Sequence, residues 1–498
     1  MKHELADPTL VRAALAQRLR AAAEVLLPEQ PERADDAAAD AAVVLERLVE
    51  HARTSDGSSA LWLVLVALSA TYPTDDAVRE SRRSLELMST SDAMLRLLET
   101  SLGRLGASGD PTAQLEVVDG GVVVDVDFSA RHDLNTGIQR VVRSTMPTWD
   151  AEHDVVLVAR TGSGTMRRLD EVERERVLRW SGPLGESPTT LTGARVVVPW
   201  RSVVVLPEVP APHLCAATAA LAEHSGNAVS IIGYDCIPVV SADLMPPVEP
   251  NRFVRYLTIV KHATRVSGIS VSAAAEFRGF AHMLPAQGLE GPDVTECMLP
   301  VEVPAAAFDQ PVVPGDLPLV VCVGSHEPRK NHLAVLHAAE RLWREGLGFR
   351  LRLIGGSSWA SDEFDAVVAR LRRRGRAVEI GRAIGDAELW AAYREARFTV
   401  FPSLHEGFGL PVAESLAVGT PAVTSSYGST EEIAADGGTL LVDPRDDDDL
   451  LRAMRSLLVD DALHARLSAE ATQRRPRTWE DYARELWTQL VDDVEVAR

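Results

Sequence analysis

"FTVFPSLHEGFGLPVAESLAVGTPAVTSS", residues 398–426, decides the fold. FTVF is a short β-branched and aromatic run of strand type. Gly407 and Gly409 permit a turn with close backbone approach, and Pro411 suits a first helical turn, where its missing N–H would be unpaired anyway. A helix of about two turns then reaches Gly419, and PAVTSS restarts as a strand. Strand, glycine turn, helix and strand make the repeating unit of a parallel α/β sheet. The turn aims a helix amino terminus, with its free N–H groups and partial positive charge, at any anion lodged there. Glu406 in the loop and Glu414, expected in the first helical turn, can border one pocket and accept hydrogen bonds from vicinal hydroxyls. Bare glycine turns are common, and Glu414 could serve the helix dipole alone, so this stretch by itself leaves a packed turn and a binding site both open.

A second stretch, "VCVGSHEPRKNHLAVLHAAERL" at 321–342, repeats the strand, glycine turn and helix. Arg329 and Lys330 stand at its helix start, where cations oppose the dipole. A guanidinium that grips two oxygens beside an ammonium point charge makes a diphosphate clamp. The two segments together describe a diphosphate site flanked by hydroxyl-binding carboxylates.

Around them the chain divides into regions. Residues 1–115 are rich in Ala, Leu, Arg and Glu at helical spacing, broken at "LLPEQPERADD" and "HARTSDGSS", and form a helical region of their own. The segment QPERADDAAADA at 30–41 reads equally as a loop or a helix start. Residues 116–305 alternate Val-rich runs with helical stretches: GVVVDVDFS at 121, DVVLVAR at 154, SVVVLPE at 202, AVSIIGYD at 228 and GISVS at 268. Near-continuous apolar strands between helices predict a parallel sheet covered on both faces. The proline-rich stretch 299–318 reads as a linker, after which the alternation resumes with LPLVVCVGS at 317, in a second domain assigned to 306–475. Residues 476–498 carry an amphipathic helix, RTWEDYARELWTQL. Two doubly wound domains place ligands at the carboxyl ends of their strands and chemistry in the cleft between them.

Composition excludes several classes. The net charge of −21 over 498 residues disfavours nonspecific attraction to nucleic acid, and the basic run RLRRRGR at 370–376 reads as the end of a surface helix. Cys215, Cys236, Cys297 and Cys322 form no C-x-x-C pair, so neither a zinc knuckle nor a disulfide framework is expected, and a reducing cytoplasm is the simplest setting. The start, MKHELADPTL, lacks an apolar signal core. ALWLVLVALSA at 60–70 is too short to span a bilayer and reads as a buried helix. Asp446 to Asp449 reads as a helix cap and acidic first turn rather than a metal site. The thirteen histidines show no metal-binding spacing; His326, His332 and His405 are expected to line or cap the site.

The strings VGSHEPRKN and PSLHEGFGLPVAESLAVGTPAV, with its Glu-x7-Glu spacing, and GTLLVDPRDDDDL resemble the donor half of the retaining GT-B glycosyltransferases of family 4, also called group 1. DVDFSARHDLNTGIQRVVRS at 125–144 and IIGYDCIPVVSADLMPP at 231–247 extend the resemblance to the first α/β domain. The resemblance covers roughly residues 119–490. It implies two Rossmann-like domains facing a cleft, an acceptor-side 116–305 and a donor-side 306–475, with a final helix crossing back. Glu406 and the backbone of Gly407, Phe408, Gly409 and Leu410 would hold the donor hexose and distal phosphate. Glu414 would hold the ribose, Arg329 and Lys330 the diphosphate, and the backbone at Ile384 the base. Gly137 would approach the phosphates, and Asp235 would sit beside the transferred sugar. Ser325 stands where some members carry Arg, and Tyr234 where many carry His; the second departure puts acceptor activation in doubt.

The implied function is transfer of a hexose from a nucleoside diphosphate sugar, GDP-mannose being the first guess, to a hydroxyl of a glycan or lipid-linked glycan, with no metal and no cofactor. Rival readings are a GT-B nucleotide-sugar epimerase or hydrolase and a noncatalytic nucleotide-sugar-binding partner of another transferase. The expected location is the cytoplasm, with peripheral contact to the inner membrane face through the acceptor as a further option. For the helical region two roles stay open, docking a protein partner and self-association.

Overall fold

The computed structural model of the chain describes residues 7–33, 36–108, 110–135, 137–185, 195–308 and 315–496. Helical spacing of apolar residues folds the start into α1 (Pro8–Leu26), α2 (Ala37–Thr54), α3 (Ser59–Ser69), α4 (Asp75–Leu87) and α5 (Thr90–Ser108). In the segment 30–41, residues 34 and 35 lie outside the described residues; Asp36 then caps α2 by accepting from the N–H groups of Ala38 and Ala39. The helix α3 is apolar all round, and Ala60 to Ser69 are buried accordingly. These helices do not stand apart. Leu61, Leu65 and Tyr72 share one continuous core with Val196, Val197 and Val204 of the first sheet, and the Tyr72 hydroxyl donates to the Val197 carbonyl at 2.6 Å.

The first sheet contains β1 (Leu115–Asp119), β2 (Val122–Asp125), β3 (Val155–Arg160), β4 (Met166–Arg168), β5 (Val196–Trp200), β6 (Val203–Leu206), β7 (Ala228–Gly233), β8 (Arg265–Gly268) and β9 (Asp293–Glu296). Their order is β1-β5-β4-β3-β2-β6-β7-β8-β9, with β4 antiparallel to both neighbours. The run β3-β2-β6-β7-β8 has the flavodoxin-like order, whose switch point lies between β2 and β6. Periodicity passes over β1 and β5, and it misplaces β8. The expected strand GISVS begins where β8 ends, because Ser270 accepts from Ala273 N–H and caps the helix Val271–Ala281. Gly268 is what lets that helix fold back on the strand: a Cβ there would lie 2.5 Å from the backbone nitrogen of Ala274.

The second sheet contains β10 (Leu319–Val323), β11 (Arg350–Ile354), β12 (Val378–Gly381), β13 (Phe398–Phe401), β14 (Ala422–Ser425) and β15 (Thr439–Val442). All neighbours are parallel in the order β12-β11-β10-β13-β14-β15, the Rossmann order, with its switch point between β10 and β13. The two sequence stretches singled out above are the segments that follow these two strands.

Part of the proline-rich stretch, residues 309–314, lies outside the described residues. The helix Trp479–Leu490, opened by a Thr478–Asp481 capping box, lies on the first domain. There Trp149 Nε1 donates to the Ala483 carbonyl at 2.8 Å and Ser230 Oγ to the Leu490 carbonyl at 2.7 Å. Among the described residues no helix is long and apolar enough to cross a membrane.

Candidate active site in the interdomain cleft

The loop after β10 does not run straight into a helix. Pro328–Lys330 form a single 3-10 turn, Asn331 takes a left-handed φ of 57°, and the helix His332–Arg344 follows. That kink directs Arg329 and Lys330 across the switch point onto the loop after β13. Lys330 Nζ donates to Glu406 Oε1 at 2.6 Å, and Arg329 Nη1 lies 3.1 Å from Glu406 Oε2. Arg329 also donates to the His405 carbonyl and to Glu327 Oε1, each at 2.6 Å. Burial acts to raise the Glu406 carboxyl, but Lys330 and Arg329 outweigh it and hold the group down at about 2. The carboxylate is therefore ionised and fixed between two cations.

Gly409, with φ of 108°, supplies the left-handed residue before the helix Leu410–Ala417, a conformation that favours glycine. Its other face is closed, since a Cβ would lie 2.9 Å from Thr430 Cγ2. Glu414 is the fifth residue of that helix, in its second turn rather than its first. It is 3% exposed, accepting from Arg140 Nη1 and the Tyr393 hydroxyl, both at 2.9 Å. Glu406 and Glu414 thus face separate partners instead of one shared opening.

Gly137 begins the helix Gly137–Glu152, and a Cβ built on it would lie 3.8 Å from Leu410 Cδ1. Two helix amino termini, one from each domain, therefore meet at this point. Like dipole ends approach favourably when an anion sits between them. Arg140, in the first turn of its helix, is a cation in an unfavourable place that Glu414 neutralises across the cleft.

Gly407 touches the other domain. A Cβ there would lie 2.5 Å from the Tyr234 carbonyl oxygen and 3.0 Å from Asp235 Oδ2. Ser270 Oγ donates to the Gly407 carbonyl at 2.7 Å. Burial, then the nearby Glu276 carboxylate, push Asp235 up to about 6 against the pull of the Ile237 N–H, Arg329 and His405. A carboxyl poised near neutrality beside a cation cluster in a cleft is a candidate functional group.

Phe408 is buried in a core shared by the domains with Trp149 and Tyr482, and Leu410 packs against it. Ser325 is half-buried after β10, and its carbonyl accepts from Glu327 N–H at 2.8 Å. Ile384, in the turn after β12, packs toward Leu319 and Ile354. The structure thus brings Asp235, Arg329, Lys330, Glu406 and Gly407 together, sets Gly137, Leu410 and Glu414 beside them, and leaves Ile384 on the β12 side of the second domain.

His326 and His332 do not line an opening but pack with Phe364 in the interior. Both are buried with ring nitrogens lacking hydrogen-bond partners among the described residues, and burial, followed by His326 and Lys330, pushes His332 down to about 3. His405 is more than lining: its Nε2 lies 2.5 Å from Glu276 Oε1 and its Nδ1 2.8 Å from Ser241 Oγ, both in the first domain. Sequence reasoning passed over Arg140, Tyr393 and Glu276. Only Arg140, three residues after Gly137, carried a signal, as a cation at a helix start.

A cavity of about 320 Å³ opens at the switch point of the first sheet, lined by Asp125, Asp127, Phe128, Glu208 and Phe253 among others. Burial, with Asp125 adding to it, pushes Glu208 up to about 7 although Ser129 and the Phe128 N–H donate to it.

Residues 305–474 match the family described as glycosyl transferases group 1. O-antigen chain mannosyltransferase B of Escherichia coli is 34% identical over 161 residues, 32% of this chain and 42% of that protein. Serotype-specific mannosyltransferase WbdA of Escherichia coli is 25% identical over 330 residues, 63% of this chain and 38% of that protein. The chain spans about two fifths of the length of these curated relatives. Among solved structures, sucrose-phosphate synthase from Thermosynechococcus elongatus superposes with a TM-score of 0.53 at 17% identity, covering 74% of this chain and 97% of that one. That likeness concerns the fold, the GT-B pair of Rossmann-like domains.

Proposed function

Residues 305–474 match the glycosyl transferases group 1 family, and on that premise we propose that the chain moves a hexose from a nucleoside diphosphate sugar to a hydroxyl of a glycan or lipid-linked glycan, with retention and without a metal. The observation that carries the proposal is Glu406, ionised between Lys330 and Arg329 at the switch point, with the adjoining Gly407 packed against Asp235 of the opposite domain. In the reaction the bond from the anomeric carbon to the phosphate oxygen breaks, and a bond to the acceptor oxygen forms on the same face. The acceptor proton passes to the departing phosphate. Lys330, Arg329 and the two facing helix termini receive the charge that develops on that phosphate, which is the main rate-raising interaction in this scheme. Glu406 keeps both cations positioned and presents acceptor atoms to the sugar hydroxyls. The cavity beside Phe128 and Glu208 suits the acceptor, since a sugar ring needs hydrogen-bond acceptors for its hydroxyls and apolar contact for its C–H faces.

The mannosyltransferase relatives favour mannose as the hexose and GDP-mannose as the donor. The test is a thermal-shift and product screen against GDP-mannose, UDP-hexoses and dTDP-rhamnose with mannose-containing acceptors, with EDTA present and absent. One donor is expected to stabilise the protein and yield an α-linked product equally in EDTA. Unchanged transfer by a folded Glu406→Ala variant would show the mechanism to be wrong.

A further inference from the structure

Far along the chain from the cleft segments, Asp75 at the start of α4 meets the end of the helix Cys215–His224 and the turn after the helix Val248–Val260. Asp75 Oδ1 lies 2.8 Å from His224 Nε2, Glu223 Oε2 lies 3.6 Å from the same nitrogen, and His262 Nε2 lies 3.3 Å from Glu223 Oε2. From these juxtaposed atoms we propose that Asp75, Glu223, His224 and His262 form a structural site for a zinc-class divalent cation that fastens the helical region to the first α/β domain. The proposal is independent of the transferase reading.

The spacing fits. Ligand bonds of about 2.0–2.2 Å in a tetrahedron put neighbouring ligand atoms roughly 3.3–3.6 Å apart; the Glu223–His224 and Glu223–His262 separations match that edge, and Asp75–His224 is shorter at 2.8 Å. Asp75, Glu223 and His224 offer ligand atoms all within 4.8 Å of one another, and His262 joins them beside Glu223. The donor set fits as well: two imidazoles with two carboxylates suit zinc, whereas calcium and magnesium favour all-oxygen shells. The outer partner of His224 is in place. Ser58 Oγ lies 3.0 Å from His224 Nδ1 and 3.4 Å from the His224 carbonyl, so it can accept from Nδ1–H while donating to that carbonyl. In that arrangement Nδ1 carries the proton and Nε2 is free to be a ligand. Both rings are sheltered, with side-chain exposures of 9% for His224 and 10% for His262.

The competing occupant is Arg79, whose guanidinium lies 2.5 Å from Asp75 Oδ1 and 2.7 Å from Glu223 Oε1. It does not block the site. Arg79 touches the Glu223 oxygen that faces away from the histidines, and its side chain is 53% exposed. Swinging off Asp75 while keeping Glu223 Oε1 leaves Oε2 and Oδ1 for the cation.

The test uses the full chain stripped with a chelator and titrated with Co²⁺, then Zn²⁺. One equivalent of Co²⁺ is expected to bind with the intense visible absorption of a tetrahedral site, and Zn²⁺ is expected to displace it. His224→Ala and the volume-conserving His262→Asn should each weaken binding at least tenfold, and zinc should raise the melting temperature of the wild type but not of these variants. Absence of a saturable one-equivalent site in the wild type overturns the proposal. So does a site that both variants leave unchanged.

Discussion

His405 Nε2 lies 2.5 Å from Glu276 Oε1, so the loop that carries Glu406 is tied to a helix of the opposite domain. The same Glu276 accepts from the Cys236 N–H at 2.5 Å, one residue beyond Asp235. One carboxylate thus links the loop after β13 to the segment that carries Asp235. Charge-assisted hydrogen bonds of this kind contribute about 1.5–3 kcal/mol. Glu276→Gln, which keeps the shape and removes the charge, should lower kcat/KM for transfer roughly tenfold or more. Steady-state kinetics checks this, with circular dichroism to confirm the fold.

Lys330→Met leaves Glu406 ionised with Arg329 alone. At pH 7 the variant should lose on the order of 3 kcal/mol of stability, the lower end for breaking a buried pair. The sign with pH follows from Glu406 being held at about 2, below its ordinary value. Its contribution is fully present above about 4.5 and is lost as the pH falls toward 2. Urea unfolding of both proteins from pH 7 to pH 3 should show the difference between them shrinking with acid.

Asp235 has the opposite sign. Its folded value is raised to about 6, so the native state binds its proton more tightly than the unfolded chain and stability from this group declines as the pH rises from about 4 through 6. Asp235→Asn should stabilise the protein at pH 8 by on the order of 2 kcal/mol while reducing transfer at least a hundredfold. Melting curves and single-turnover assays on the same preparation separate the two effects.

Gly407→Ala should spread the domains. The added methyl would sit 2.5 Å from the Tyr234 carbonyl oxygen, too close for either backbone to keep its place. A larger radius of gyration by solution scattering, with loss of transfer and retained secondary structure, is the expected outcome.

Much of the fold was legible because a parallel strand and a helix each announce themselves over a few residues. VVCVGS and FTVFPS read as strands, and the glycines with Pro411 mark the turn that becomes the helix Leu410–Ala417. GISVS misled because an apolar, β-branched string does not reveal that Ser270 caps a helix. Glu414 was placed one residue early, in the first turn, because the helix starts at Leu410 after the left-handed Gly409 and not at Pro411.

The sequence by itself determined two glycine-turn units with an acidic and a basic set of side chains beside them, and therefore the expectation of a phosphate-and-sugar type of site. Those are local properties, set by residue type and spacing. Only the tertiary structure decided which carboxylate meets which cation. Arg140 and Glu414 are 274 positions apart, and Glu276 and His405 are 129 apart. Such pairs depend on how two separately folded sheets are brought face to face, and the periodicity of one segment holds no information about the segment packed against it.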